Sequence, residues 1–442
     1  MAKSIDRKRL SIAFTNQDLC TRCGTCIGIC PTDALSVSKN YFPVIDTEKC
    51  IDCGLCMKTC PGGRLNFRDL TRITFGHNDD LDTFDGHVTK TIVGYAGDEE
   101  IRRRGAGGGM ITALALFLLQ EKLVDGCIVT RMDENDPLRG KVYIARSRDD
   151  LLSSQQSKYL PLPVNSIFQH VKTLPGTYAY IGLPCHIHGY RLLSEEDEEI
   201  KKKIRIVIGL FCGMALEPHM LKELLQVHQI RPQEVKAFQF RGGEWPGKFR
   251  AITDKKIHDL HYSNYKDGAF NYLMFLYSPR RCQTCIDGSS QFSDLSVSDA
   301  WTRDPSGNYL FRANSRVLAR TQRGLEILQQ AVSKGAIRAQ DVSSNEHYKT
   351  HQRHTSRKGL KTPLRVTRLN QKNKAAPLYD RMPPQASKKE KFGERVETTL
   401  MSLGRYKLIR YPLLYLLMSR YGIPLVKLRQ YLKSRKYKGS AK

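Results

Sequence analysis

Acidic residues are scarce in the last part of this 442-residue chain: residues 351–442 hold 4 Asp and Glu against 24 Lys and Arg. Of the net charge of +27, +20 therefore lies in that stretch, and the preceding 350 residues carry +7. The basicity belongs to an appendage, while the body has the balance of an ordinary enzyme. The body also has no recognisable RNA- or DNA-binding motif, so nucleic acid is excluded as a partner. The basic region lacks a long hydrophobic run. Its longest charge-free stretch, Tyr411–Ser419, falls far short of the ~20 residues of a spanning helix. Met1–Leu10 is charged and lacks the apolar core of a signal peptide, so a cytoplasmic protein is expected.

Cysteine, by contrast, is plentiful. Eight of the thirteen fall in two near-identical runs, Cys20-x2-Cys23-x2-Cys26-x3-Cys30-Pro31 and Cys50-x2-Cys53-x2-Cys56-x3-Cys60-Pro61. This is the bacterial two-cluster ferredoxin spacing, in which three cysteines of a run hold one 4Fe–4S cluster and the fourth crosses to the other. The first cluster then takes Cys20, Cys23, Cys26 and Cys60, and the second takes Cys50, Cys53, Cys56 and Cys30. Two-residue gaps wrap a tight turn around a cube with N–H groups aimed at sulfur. Gly24, Thr25, Gly28, Gly54 and Leu55 occupy positions between ligands, and Pro43–Asp46 reads as a short strand before the second run. Structural zinc usually closes with two ligand pairs rather than interlocked runs of four. Free thiolates in this number suit a reducing compartment.

From Thr91 onward, strand-like and helix-like segments alternate, the pattern of an α/β domain. Thr91–Tyr95 and Gly126–Thr130 read as strands, and Met110–Leu119 reads as a helix that ends near Glu121. The turn Gly105–Gly109 precedes that helix, where exposed N–H groups and the helix dipole can cradle phosphate. Arg102, Arg103 and Arg104 add positive charge upstream. These glycines match neither the Rossmann nor the Walker spacing, which leaves a plain flexible turn as the alternative. Tyr180–His186 and Ile206–Gly213 are hydrophobic strands that end in Cys185 and Cys212, at the sheet edge where ligands gather. With Cys282-x2-Cys285 they provide four thiolates, enough for a third 4Fe–4S cluster; structural zinc and unligated cysteines are the alternatives. Cys127, inside a strand, reads as a small core residue.

Residues 351–395 combine Lys, Arg, Pro, Gln and Ser with few large apolar side chains, and read as a basic linker. Residues 396–442 read as a basic amphipathic tail. Leu400, Leu403, Tyr406, Leu408 and Ile409, the stretch Tyr411–Met418, and then Ile423–Leu428 are interrupted by Arg405, Lys407, Arg410, Arg420, Lys427 and Arg429. Short basic helices of this kind suit the plane of an anionic membrane surface, which places the protein peripherally at the inner face of the cell membrane. Packing against the protein's own body or a partner is the alternative.

Four motifs occur in a telling order: Gly-Ala-Gly-Gly-Gly-Met-Ile-Thr-Ala-Leu (105–114), Gly-Leu-Pro-Cys-His-Ile-His-Gly (182–189), Phe-Arg-Gly-Gly-Glu-Trp-Pro-Gly (240–247), and Cys-Gln-Thr-Cys-Ile-Asp followed by Ser-Asp-Leu-Ser-Val-Ser-Asp-Ala-Trp (282–301). Over roughly residues 15–350 the chain resembles the beta subunit of coenzyme F420 hydrogenase/dehydrogenase, a family that includes 7-hydroxymethyl chlorophyll a reductase. The resemblance implies an α+β protein: a two-cluster ferredoxin module (1–72) fused to an α/β FAD-binding domain (88–350), ahead of the basic linker and helical tail. It implies an iron–sulfur flavoprotein oxidoreductase that passes electrons between 4Fe–4S clusters and FAD to reduce or oxidise a two-electron organic substrate or a deazaflavin coenzyme. A ferredoxin or other redox partner is implied too. An electron-transfer subunit with no substrate site of its own is the alternative. Arg104, Gly107, Gly108, Gly109 and Thr112 would hold the FAD pyrophosphate. Ser157, Lys158, Tyr159, Arg241, Asp299 and Trp301 would flank the ring or substrate, with a salt bridge or core aromatic as the plainer reading of each. His186, His188 and Lys158 are candidates to move protons. The chain departs from the family pattern at Gly107, where serine is usual, and at His186, His188, Ser293 and Ser298.

Overall fold

The computed structural model describes residues 6–79, 82–260, 270–304, 308–343, 355–381, 383–418 and Pro424, Leu428 and Tyr431. The two cysteine runs fold as near-repeats. Each passes through a left-handed glycine, Gly24 (φ 85°) or Gly54 (φ 80°), that opens a one-turn helix, Thr25–Gly28 or Leu55–Lys58. Glycine takes that conformation without the Cβ clash that penalises other residues. An antiparallel hairpin, Leu35–Val37 with Pro43–Ile45, lies between them. Asn66 then caps the helix Phe67–Phe75, accepting from Arg68 N–H at 3.0 Å.

Beyond this module stands an eight-stranded mixed sheet. In spatial order its strands are Ile337–Asp341, Lys90–Ala96, Ser315–Ala319, Leu295–Asp299, Ile204–Leu210, Tyr178–Gly182, Gly126–Met132 and Gly140–Ala145. The four from Leu295–Asp299 to Gly126–Met132 are parallel neighbours, flanked by antiparallel strands on both sides. Parallel strands are covered on both faces and so read as near-continuous apolar runs. Tyr178–Gly182 shows why: Ala179 and Ile181 join one core with Met110, Leu114 and Ile206, while Tyr178 and Tyr180 join the other with Phe168, Ile187 and Phe292. The helix Met110–Gln120 covers the first face, and Pro184–Glu196, with proline at its start, covers the second. The second core runs on into Ile29 and Tyr41 of the ferredoxin module, so the cysteine runs are packed onto the sheet domain.

The C-terminal region differs from the sequence-based expectation. Residues 355–361 form a π-helical turn that leads into the helix Thr362–Gln371, where a linker was expected, and Lys358, Thr362 and Arg365 are buried. Lys358 and Arg365 find backbone partners on the body, which composition does not reveal. The next helix, Lys388–Leu403, begins inside the expected linker and is followed by Lys407–Met418. Met401, Leu414 and Met418 join the second core. Arg410 donates to both carboxylate oxygens of Glu223, at 2.9 and 2.6 Å. The inner face of the tail therefore packs on its own body. Arg420, Ile423, Lys427 and Arg429 lie outside the described residues. Among the described residues, no helix is long and apolar enough to cross a membrane.

Candidate functional site

The ferredoxin module encloses two small cavities. One is lined by Cys20, Cys23, Cys26 and Cys60, the other by Cys30, Cys50, Cys53 and Cys56. Each draws three cysteines from one run and one from the other. Burial pushes the Cys20 thiol up to about 12, against the pull of the Arg22 N–H that lies 3.4 Å from its sulfur, and the neighbouring Cys23 and Cys60 add to the rise. Thiols this crowded ionise readily only when a metal centre takes them as ligands.

Cys185, Cys212, Cys282 and Cys285 form a third group in the sheet domain. Burial holds Cys185 well above the usual thiol range, and Cys212, Cys285, Cys23 and Cys282 all act on it electrostatically. The third group and the first cysteine run are therefore neighbours, with Cys185 and Cys23 at their junction. Among the described residues, no three His, Cys, Asp or Glu groups converge on one ion. Cys127, in its strand, is buried and stands apart.

A cavity of about 280 Å³ opens at the C-terminal edge of the parallel strands. It extends from the Gly105–Gly109 turn and the start of helix Met110–Gln120, along the loop Ser154–Leu160, to Cys212 and Gly213. Two buried oxygens on its wall, Gln155 Oε1 and Ser298 Oγ, have no partner among the described residues. The Gln155 amide nitrogen donates to Ile101 O at 2.9 Å, which fixes which end faces the cavity. Arg241 and Asp299 make a two-pronged ion pair, 2.7 and 3.1 Å, on the same wall. A Cβ on Gly107 would stand 2.6 Å from Asp299 Oδ1, so a bare glycine lets the turn approach that pair.

Gly107, Gly109, Thr112, Ser157, Lys158, Tyr159, His186, Arg241, Asp299 and Trp301 all line this cavity. Three expected members do not. Arg104 pairs with Glu100 at 3.1 Å one helical turn back, a favourable i,i+4 arrangement. Gly108 faces the sheet: its N–H donates to Ser315 Oγ at 3.1 Å, and a Cβ there would meet Gly94 O at 2.7 Å. His188 is buried away from the cavity, 2.9 Å from Asp287 and edge-on to Phe67 and Phe292. It is a packing histidine, not a proton donor to the cavity. His186 lines the cavity but serves the helix start, where its Nδ1 accepts from Leu183 N–H at 3.1 Å. Burial pushes it down to about 4, so it is neutral at pH 7. Lys158 donates to the carbonyls of Ser154, Gln155 and Gln156, which terminate the helix Arg148–Ser154, and burial pushes its amine down to about 7. Of the proton-moving candidates, Lys158 is the one poised near neutrality on the cavity wall. Gln155 was not singled out in the sequence. Its neighbours Ser157–Tyr159 were, and it lies on the same loop.

Residues 91–169 and 176–345 match the N- and C-terminal parts of the coenzyme F420 hydrogenase/dehydrogenase beta subunit, and residues 8–65 match a 4Fe–4S dicluster domain. The coenzyme F420-dependent sulfite reductase of Methanocaldococcus jannaschii is 24% identical over 343 residues, 74% of this chain and 48% of that protein. The chain thus spans about half the length of that relative. The coenzyme F420 hydrogenase subunit beta of Methanococcus voltae is 23% identical over 266 residues, 58% of this chain and 86% of that one. In the F420-reducing NiFe hydrogenase complex from Methanosarcina barkeri, one chain has the same fold with a TM-score of 0.51 at 21% identity, covering 66% of this chain and 97% of its own. The chain belongs to the coenzyme F420 hydrogenase/dehydrogenase beta-subunit family.

Proposed function

We propose that the chain is the iron–sulfur electron-transfer component of an oxidoreductase, with three 4Fe–4S clusters and one FAD in the large cavity, acting on a two-electron organic substrate or a deazaflavin. The observation that carries this reading is contiguity. Cys23 of the first cysteine run lies 3.1 Å from Thr25 Oγ1, which Asn165 ties to the His186 carbonyl beside Cys185 of the third group, and Cys212 of the third group lines the cavity. A bound flavin supplies the exchange between the one-electron traffic of clusters and two-electron hydride chemistry. The chain's own residues suit such a guest. The N–H groups at the start of helix Met110–Gln120 favour a pyrophosphate, and Gln155 Oε1 and Ser298 Oγ are acceptors awaiting a donor. Arg241, held by Asp299, keeps a cation on the wall, and Lys158 can hold or release a proton near pH 7. An electron-transfer subunit without a substrate site is the second reading, favoured by relatives that are themselves named as subunits. Anaerobic purification with iron and flavin quantification tests the proposal: about twelve irons and one FAD per chain are expected. Full iron without flavin would leave the second reading in place.

We also infer that the outer face of the C-terminal helices meets an anionic membrane surface. Leu408 is 91% exposed, and Leu400, Leu403, Tyr406, Leu413, Tyr415 and Leu416 are exposed beside it. Arg405 and Lys407, also exposed, flank this face. Apolar side chains ringed by cations on a short helix suit shallow insertion among acidic headgroups.

A further inference from the structure

The Cys282–Cys285 loop has four consecutive carbonyl oxygens, and all four accept hydrogen bonds from one later segment. Lys358 Nζ donates to Cys285 O (2.9 Å) and Cys282 O (3.5 Å), Arg365 Nη1 to Gln283 O (2.8 Å), and the Tyr379 hydroxyl to Thr284 O (2.9 Å). These donors lie beyond residue 345, where the match to the family ends. The loop begins as a one-turn helix, Arg280–Gln283; Cys282 O also accepts from Cys285 N–H at 3.4 Å, but a helix this short leaves most of its carbonyls to donors from elsewhere.

The same segment reaches the ferredoxin module. Leu378–Tyr379 pairs in parallel with Arg64–Leu65. The Asp380 carboxylate accepts from Phe67 N–H (2.8 Å) and Arg68 N–H (3.1 Å) at the start of their helix. From the loop itself, Arg281 donates to Pro61 O (3.2 Å) and Gly62 O (3.0 Å), just after Cys60. Segment, cysteine loop and the end of the second cysteine run are thus tied to one another.

Lys358 stands out within this strap. It is 2% exposed, and its acceptors are carbonyls rather than a carboxylate. A buried ammonium without a counter-anion is strongly unfavourable. A 4Fe–4S cube held by four thiolates carries net negative charge and supplies that anion.

We propose that residues 355–381 form a cationic strap on the Cys282–Cys285 loop, and that Lys358 sets the reduction potential of the cluster held there. This inference rests on the third-cluster reading above. A nearby cation stabilises the more negative, reduced cube and so raises its potential. The test is anaerobic potentiometric titration of the full-length Lys358→Met and Lys358→Arg proteins, followed by EPR, with iron quantified in each. Lys358→Met should shift the third signal to more negative potential and leave the two ferredoxin signals in place, and Lys358→Arg should restore it. Loss of about a third of the iron in Lys358→Met but not in Lys358→Arg would also support the strap, as the holder of the loop. About eight irons in the wild-type chain would overturn the third-cluster reading itself. A full complement of iron with an unmoved third potential in Lys358→Met overturns the strap alone. Equal loss or equal shift in both variants rules out its charge as the cause.

Discussion

The side-chain nitrogen of Asn165 donates at 2.8 Å to Thr25 Oγ1, on the first cysteine run, and at 2.8 Å to the carbonyl of His186, on the helix that carries Cys185. Tyr180 donates to the amide oxygen of Asn165 at 2.5 Å, and Thr25 Oγ1 lies 3.1 Å from Cys23 Sγ. One fully buried amide therefore spans the seam between the ferredoxin module and the sheet domain. Gly189 makes the seam possible, because a Cβ there would collide with Thr25 Oγ1.

Asn165→Leu should strand the Tyr180 hydroxyl, costing about 1–3 kcal/mol for a buried group left unsatisfied, and should remove the link to the His186 carbonyl, which keeps its bond within the helix Pro184–Glu196. The anaerobic urea midpoint should fall accordingly. Magnetic coupling between the first and third clusters in EPR should weaken as the seam loosens. An unchanged midpoint with unchanged coupling would show that the bridge is incidental.

The glycine turn separates two roles that look alike in sequence. Gly108 abuts the backbone of the sheet, and a side chain there disrupts folding whatever the cavity holds. Gly107 faces Asp299 across the cavity wall. Gly107→Asp adds a second carboxylate beside Asp299 and opposes any pyrophosphate at the helix start. The variant should purify with wild-type iron and little flavin. Undiminished flavin absorbance would remove the turn from the cofactor site.

These examples mark how far the chain could be read before its structure. The cysteine runs were legible because cluster ligation imposes spacing directly on sequence. The strands around Thr91–Tyr95 and Gly126–Thr130 were legible because strands buried on both faces are apolar throughout; the observed strands are Lys90–Ala96 and Gly126–Met132. Gly107 and Gly108 were indistinguishable, because which face a turn presents depends on strands about two hundred residues later. Lys358, Arg365 and Tyr379 were illegible for a different reason. Their partners on the cysteine loop are backbone carbonyls, which have no sequence signature, and long cationic side chains read as solvated until a structure shows what they cap. His188 looked reactive by type, and only its Asp287 partner and aromatic neighbours reveal a packing role.

His186 gives a pH prediction whose sign follows from its burial. Its pKa falls from 6.5 to about 4 on folding. Between those values the unfolded chain binds the proton and the folded chain does not, so stability rises with pH across that window and is lost as pH falls through it. His186→Asn keeps an acceptor for Leu183 N–H but cannot titrate. Its stability, measured by anaerobic urea unfolding between pH 6.5 and pH 5, should decline less steeply than that of the wild type. Parallel slopes would assign the acid sensitivity to other groups.

The membrane inference is tested on the outer helical face, because deletion after residue 350 would also remove Lys358 and Arg365 from the cysteine loop. Leu408, Leu413 and Leu416 are exposed, while Met401, Leu414 and Met418 hold the helices to the body. Replacing the three exposed leucines with serine should therefore leave folding and iron content intact. Each basic group near an anionic leaflet contributes ~1 kcal/mol, an attraction that fades within a Debye length. The wild-type protein should co-sediment with vesicles containing phosphatidylserine and be partly released by high salt. The triple-serine variant should remain largely in the supernatant, as should Arg405→Glu with Lys407→Glu at low salt. Vesicles of neutral lipid should retain little of either. If the wild type ignores anionic vesicles and instead elutes as a larger species that the leucine substitutions shrink, the exposed face is an interface between protein chains. The lipid reading then falls.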